Sequence, residues 1–184
     1  LLYPQGSHGA SSLFLKAFLN IINEDEEYIN CDRCSADIKE RYIGVKTKTD
    51  GGRIDIIIED GNHAIIIENK IHGACDQPNQ VRNYISHLRN QNDIKLENIW
   101  VFYITSDGIK MVSEESYKKE LEDKGTNIGN RFIEINYKED ITEWLQNDIL
   151  NNGYYPESLT SIVRTYLDYL RNDLFCDDID INWQ

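Results

Sequence analysis

Two runs of β-branched residues stand close together in the chain, Arg53 to Glu59 (RIDIIIE) and Ala64 to Lys70 (AIIIENK), joined by Asp60-Gly61-Asn62-His63. Isoleucine at nearly every position predicts strands covered on both faces. Gly and Asn in the connection predict a tight hairpin, because both tolerate the positive φ that such turns need. Upstream, Leu13, Phe14, Ala17, Phe18, Ile21 and Ile22 keep helical spacing behind the capping candidates Ser11 and Ser12. Ser35 to Thr49 reads as a strand that reaches the hairpin through Asp50-Gly51-Gly52. Downstream, Val81, Tyr84, Ile85 and Leu88 form the apolar stripe of a helix, with Asp76 a candidate N-cap and Pro78 in its first turn. Glu97 to Thr105 predicts a buried strand and Ser106-Asp107-Gly108 its turn. Ser113 to Lys124 predicts an amphipathic helix, Arg131 to Ile135 a short strand and Ile141 to Leu150 a helix. Pro156 opens a last helix carrying Leu159, Ile162, Val163, Tyr166, Leu167, Tyr169 and Leu170. The order αβββαβ, then αβαα, predicts an α/β fold with a central mixed sheet flanked by helices. With no repeat, low-complexity tract or linker, residues 1–184 read as one domain.

Side chains alternate faces along a strand, so parity places the charged residues of the hairpin. A turn at Gly61-Asn62 sets Asp55 opposite Glu68; a turn at Asp60-Gly61 sets it opposite Ile66, with Glu68 diagonal. Both registers put Asp55, Glu68 and Lys70 on one face, and only an odd-length loop separates them. Carboxylates opposed inside an apolar sheet repel unless a positive charge lies between them. A divalent cation supplies it: Mg²⁺ takes oxygen ligands, keeps several waters, and needs only one or two protein carboxylates. Lys70 emerges beside that position, able to orient a water or offset charge developing on a phosphate. A Glu-x-Lys triplet alone carries no such meaning. Here Ile54, Ile56, Ile58, Ile65 and Ile67 mark the opposite face as buried, and Ile57 and Ile66 surround the charges.

The arrangement resembles the PD-(D/E)XK nuclease superfamily, with Asp55 as the Asp and Glu68-Asn69-Lys70 as the triplet. Gln80-Val81-Arg82-Asn83-Tyr84 matches the Gln-x-x-x-Tyr of its phage-exonuclease-like branch, and the i, i+4 spacing puts Gln80 and Tyr84 on one helix face. GSHG, GGRIDI, IIENKI and DQPNQVRNY look like a bacterial family within that superfamily. The resemblance implies a restriction-endonuclease-like core and metal-dependent hydrolysis of DNA phosphodiester bonds, and leaves RNA open as a substrate. It implies Mg²⁺ or Mn²⁺ on Asp55, Glu68 and the Asn69 carbonyl, with Lys70 and Gln80 beside the attacking water. It also suggests Glu40 and His8 as outer site residues together with Tyr84, and a helix preceding residue 1 that often holds one more Glu of the metal site. Each has a plainer reading. Glu40 pairs equally well with Lys39 and Arg41 on an exposed strand, His8 suits a surface loop, and Tyr84 suits a core with a wet hydroxyl.

Charge complicates the picture. The formal net charge is −13, whereas affinity for nucleic acid comes mainly from Lys and Arg on phosphates. The evident positive track is Lys39, Arg41, Lys46, Lys48 and Arg53, either a DNA path or a solvated strand face. A partner protein supplying DNA affinity, or a catalytically silent nuclease fold that binds nucleic acid or protein, are the alternatives that the acidic balance favours. Cys31 and Cys34 form a C-x-x-C with no second pair at zinc-site spacing. With Cys75 and Cys176 they read as free thiols of a cytoplasmic protein, and no run approaches membrane-spanning length.

Overall fold

A computed structural model describes residues 2, 9, 12–20, 35–37, 41–43, 52–71, 74–91, 93–117, 125–151 and 155–174. Five strands build the main sheet in the order β1 (Ser35–Asp37), β4 (Ile56–Glu59), β5 (Ala64–Lys70), β6 (Ile99–Thr105) and β7 (Phe132–Asn136). The β1–β4 and β4–β5 pairs are antiparallel, while β5–β6 and β6–β7 are parallel. A separate antiparallel ribbon joins β2 (Arg41–Ile43) to β3 (Gly52–Ile54). The sheet is thus mixed, and β5 runs through its middle.

Alternation along β5 sorts the core into two halves. Ile65 and Ile67, with Ile58, Phe102 and Ile104, face α1 (Leu13–Leu19) and the C-terminal helices through Phe14, Phe18, Trp144 and Val163. Ala64 and Ile66, with Ile57, Val101 and Tyr103, face α2 (Gln80–Gln91) through Val81, Tyr84, Ile85 and Leu88. Both faces are covered, as near-continuous isoleucine requires, and every residue of β6 is buried. The C-terminal helices are α3 (Thr142–Trp144), widened into π-helical turns on both sides, and α4 (Glu157–Tyr169), which continues as a π-helical turn to Leu174.

Of the two hairpin registers, the structure adopts the one with Gly61-Asn62 at the tip. Ile56 pairs with Ile67 and Ile57 with Ile66, so Asp55 continues the register opposite Glu68. Asp60 fixes the tip by accepting from the backbone N–H groups of Asn62 at 2.9 Å and His63 at 2.8 Å, and Gly61 takes φ +94°. The run from Arg53 to Glu59, however, is not one strand. It breaks at Asp55: β3 pairs with β2, and β4 pairs with β1. Among the described residues, the stretch expected as one strand from Ser35 to Thr49 supplies β1 to the main sheet and β2 to the ribbon.

Two expectations give way downstream. Residues 113–117, the described part of the helix expected over Ser113 to Lys124, make a single turn, with Ser116 and Tyr117 N–H both on Ser113 O at 3.0 Å; residues 118–124 lie outside the described residues. Asp76 does not cap α2, which begins four residues later at Gln80 behind Asn79 with φ +57°. The strand expected over Arg131–Ile135 spans Phe132–Asn136, and the helix expected from Ile141 starts at Tyr137. Among the described residues no helix is long and apolar enough to cross a membrane.

Candidate active site

Where the chain turns out of β3 into β4, the Asp55 carboxylate substitutes for a backbone acceptor: Oδ2 takes the Asn69 N–H at 2.9 Å. The bond ties the bend to β5 just beyond the last β4–β5 pair. Glu68 and Lys70 share the face of Ile66, toward α2. The Asn69 side chain borders instead a cavity of about 420 Å³ among Ile67, Ile104, Tyr137 and Tyr166, leaving its backbone on the Asp55 side.

Gln80, the first residue of α2, meets this face and organises it. Its Nε2 donates to Glu68 Oε1 and to the Tyr84 hydroxyl, each at 2.8 Å. Its Oε1 accepts from Lys70 Nζ at 2.9 Å and from Gln77 N–H at 3.3 Å. Tyr84 in turn donates to Arg53 O at 2.7 Å, anchoring α2 to β3. The i, i+4 pair therefore works as one unit, and Tyr84 is both core and site. Lys70 Nζ lies 2.8 Å from Glu68 Oε1 and 3.6 Å from Asp76 Oδ1, and donates to Cys75 O at 3.3 Å. Glu68 is 3% exposed, Lys70 4% and Gln80 8%, so these charges meet in an environment where each bond counts for more than in water.

Burial pushes the Glu68 carboxyl above its ordinary value; the bond and charge of Lys70 work against that, and the neighbouring Asp55 charge adds to it. Glu68 Oε2 is buried and takes no hydrogen bond. Asp76 is displaced the other way. Burial raises its carboxyl, but bonds from Ser113 N–H and Tyr103 and the Lys70 charge outweigh that and hold it below the usual range. Burial raises the phenols of Tyr84 and Tyr103, with Glu68 adding to the first and Asp76 to the second; both hydroxyls stay protonated donors at neutral pH.

Do these residues fit a divalent ion? Among the described residues no three His, Cys, Asp or Glu side chains converge as a cage. What is present is a pair of carboxylates, one with a buried oxygen lacking any partner, beside strand backbone. That donor set suits Mg²⁺ or Mn²⁺, which keep waters in the remaining positions, better than a fully caged ion.

The structure thus brings together Asp55, Glu68, Asn69, Lys70, Gln80 and Tyr84. Arg53 is exposed at the edge of this group. His8, Glu40, Lys39, Lys46 and Lys48 lie outside the described residues, as does the side chain of Arg41; so do Cys31, Cys34 and Cys176, while Cys75 is a free, exposed thiol. Asp76, Tyr103 and Ser113 join the group without having been expected there. An Asp four residues before a helix reads locally as a cap, and its donors come from 27 and 37 residues away. Among known proteins, a family model described as PD-(D/E)XK nuclease superfamily matches residues 1–171, a span that takes in every element from α1 through α4. No curated protein matches the chain, and no solved structure does.

Proposed function

This chain belongs to the PD-(D/E)XK nuclease superfamily and has its restriction-endonuclease-like α/β fold, and on that premise we propose that it hydrolyses phosphodiester bonds of DNA with Mg²⁺ or Mn²⁺. The observation that carries the reading is Glu68 Oε2, an acidic oxygen held out of water with nothing bound to it. Lys70 and Gln80 engage only Oε1; a buried acceptor left without a donor is costly, and a cation on that oxygen relieves the cost. Asp55, Glu68 and the Asn69 carbonyl would hold the ion. When bound, it lowers the pKa of a coordinated water and polarises the scissile phosphate.

The protein's own groups do the rest. Gln80 hydrogen-bonds both the Glu68 carboxylate and the Lys70 ammonium, so both are oriented before substrate arrives. Lys70 places a positive charge where a phosphate gathers negative charge, in a site with little water to screen it. Tyr84 holds Gln80 and clamps α2 to β3, keeping the carboxylates and the ammonium in register.

Cleavage of linear and nicked DNA by wild type and Lys70→Ala, with and without EDTA, tests this. Activity should vanish in EDTA, and Lys70→Ala should lower it about 10²–10³-fold, the usual loss for removing one charge-stabilising group. No cleavage of DNA or RNA with either metal would reject the reading. The net charge of −13 favours a second reading, a binding module on a nuclease fold; binding of DNA or a protein without cleavage distinguishes it.

A further inference from the structure

Asp76 is held by neutral donors from well outside its own loop. Its Oδ1 accepts from the Tyr103 hydroxyl at 2.9 Å, and its Oδ2 accepts from Ser113 N–H at 2.7 Å. Oδ1 also lies 3.6 Å from Lys70 Nζ, and the side chains are 6% and 4% exposed. Lys70 therefore stands between two carboxylates, Glu68 at 2.8 Å and Asp76 at 3.6 Å. The two differ in what else they are asked to do. Glu68 belongs to the set that would hold an ion; Asp76 is fixed by β6 and the segment after it.

An ammonium offers three donors and no acceptor. When Oε2 of Glu68 holds a divalent ion, that ion and the Lys70 ammonium on Oε1 draw on one carboxylate charge, and the two cations repel. Without a second carboxylate, the ammonium would keep competing for Glu68 and oppose metal binding. Asp76 supplies that carboxylate at a fixed place. Cys75 O at 3.3 Å and Gln80 Oε1 at 2.9 Å supply the neutral acceptors beside it. We propose that Asp76 is a positioning residue that draws the Lys70 ammonium off Glu68 Oε1 and so lessens its competition with a divalent ion held through Oε2 of the same carboxylate. This rests on the metal-dependent reading above and adds to it a residue outside the Asp, Glu-x-Lys and Gln-x-x-x-Tyr positions.

The test is a double-mutant cycle read by calorimetric titration of the full chain with Mn²⁺, with no substrate present. Asp76→Asn keeps the shape and removes the charge, and should weaken Mn²⁺ binding about tenfold, within the range for residues sharing one network. In the Lys70→Met background, the same change should alter the dissociation constant less than about threefold, because no ammonium remains to be drawn away. Asp76→Glu should retain binding to within about threefold of wild type. Equal weakening in both backgrounds would overturn the proposal, since Asp76 would then act through its field or through the fold and not through Lys70. No weakening in Asp76→Asn would overturn it as well. If that variant does not fold, Asp76→Ser, whose hydroxyl can still accept from either donor, takes its place in the cycle. Failure of the metal reading itself looks different: wild type would give neither heat nor a change in melting temperature with Mn²⁺ or Mg²⁺.

Discussion

Oε1 of Glu68 accepts from Gln80 and pairs with Lys70, while Oε2, equally out of water, accepts from nothing. Burial lifts this carboxyl above its ordinary 4.5, which fixes a sign. The fold favours the protonated form, so Glu68 contributes stability fully below 4.5 and loses it as pH rises through the raised value. Melts in EDTA should accordingly fall across that interval, and Glu68→Gln should flatten the fall. Mn²⁺ should raise the melting temperature progressively more toward neutral pH in wild type and leave Glu68→Gln unmoved. Asp76, held below its ordinary 3.8, acts oppositely: its contribution is present above 3.8 and is lost as pH falls through the depressed value. At this scale the sequence was informative about Asp55, Glu68, Lys70, Gln80 and Tyr84, because short spacing and strand parity suffice to gather them. Asp76 was not legible, since nothing local distinguishes a cap from a carboxylate bound by Tyr103 and Ser113.

The bend at Asp55 matters as much as any charge. One side chain both closes the gap where the strand changes partners and stands close enough to Glu68 for its charge to be felt there. Asp55→Asn preserves an acceptor for Asn69 N–H, whereas Asp55→Ala leaves that donor without one. Denaturant unfolding without metal should show Asp55→Ala less stable than Asp55→Asn by about 1 kcal/mol, since the donor left without a partner is partly buried. Both should lose Mn²⁺ affinity. Tyr84→Phe, which strips the donor from Arg53 O, should cost about 1–3 kcal/mol by the same measurement. Strand and helix identities follow the hydrophobic period here; the break does not, because RIDIIIE reads as unbroken β sequence and the change of partner is a tertiary event. The turn at residues 113–117 has the same origin. Ser113 N–H goes to Asp76 and Tyr117 stacks on Phe132 at 4.5 Å, so contacts with distant residues override a local helical pattern.

Across the whole molecule, a network suited to phosphodiester chemistry sits in a chain of net charge −13. Long-range attraction to nucleic acid is therefore weak, and whatever affinity exists must come from local positive groups. On the DNA reading, Lys46→Glu with Lys48→Glu should flatten the dependence of log affinity on log salt by about 0.9 for each phosphate no longer neutralised. Mn²⁺ binding should stay intact. An unchanged slope would return these lysines to a solvated face. The α/β class and mixed sheet were readable from the order of elements alone. The division of the early strands between the main sheet and the β2–β3 ribbon was not, because it depends on which strand each segment meets.

The site's hydrogen bonds also differ in how much chain they close. Asn69 to Asp55 spans 14 residues and Gln80 to Glu68 spans 12, while Asp76 reaches 27 residues to Tyr103 and 37 to Ser113. Loop-closure entropy favours short spans first, so the carboxylates and Gln80 should come together as the hairpin meets α2, before β6 docks. Pulse-labelled hydrogen exchange during refolding should then protect the Asn69 amide earlier than the Ser113 amide. A nascent chain would carry the carboxylate pair before it carried the second anchor for Lys70.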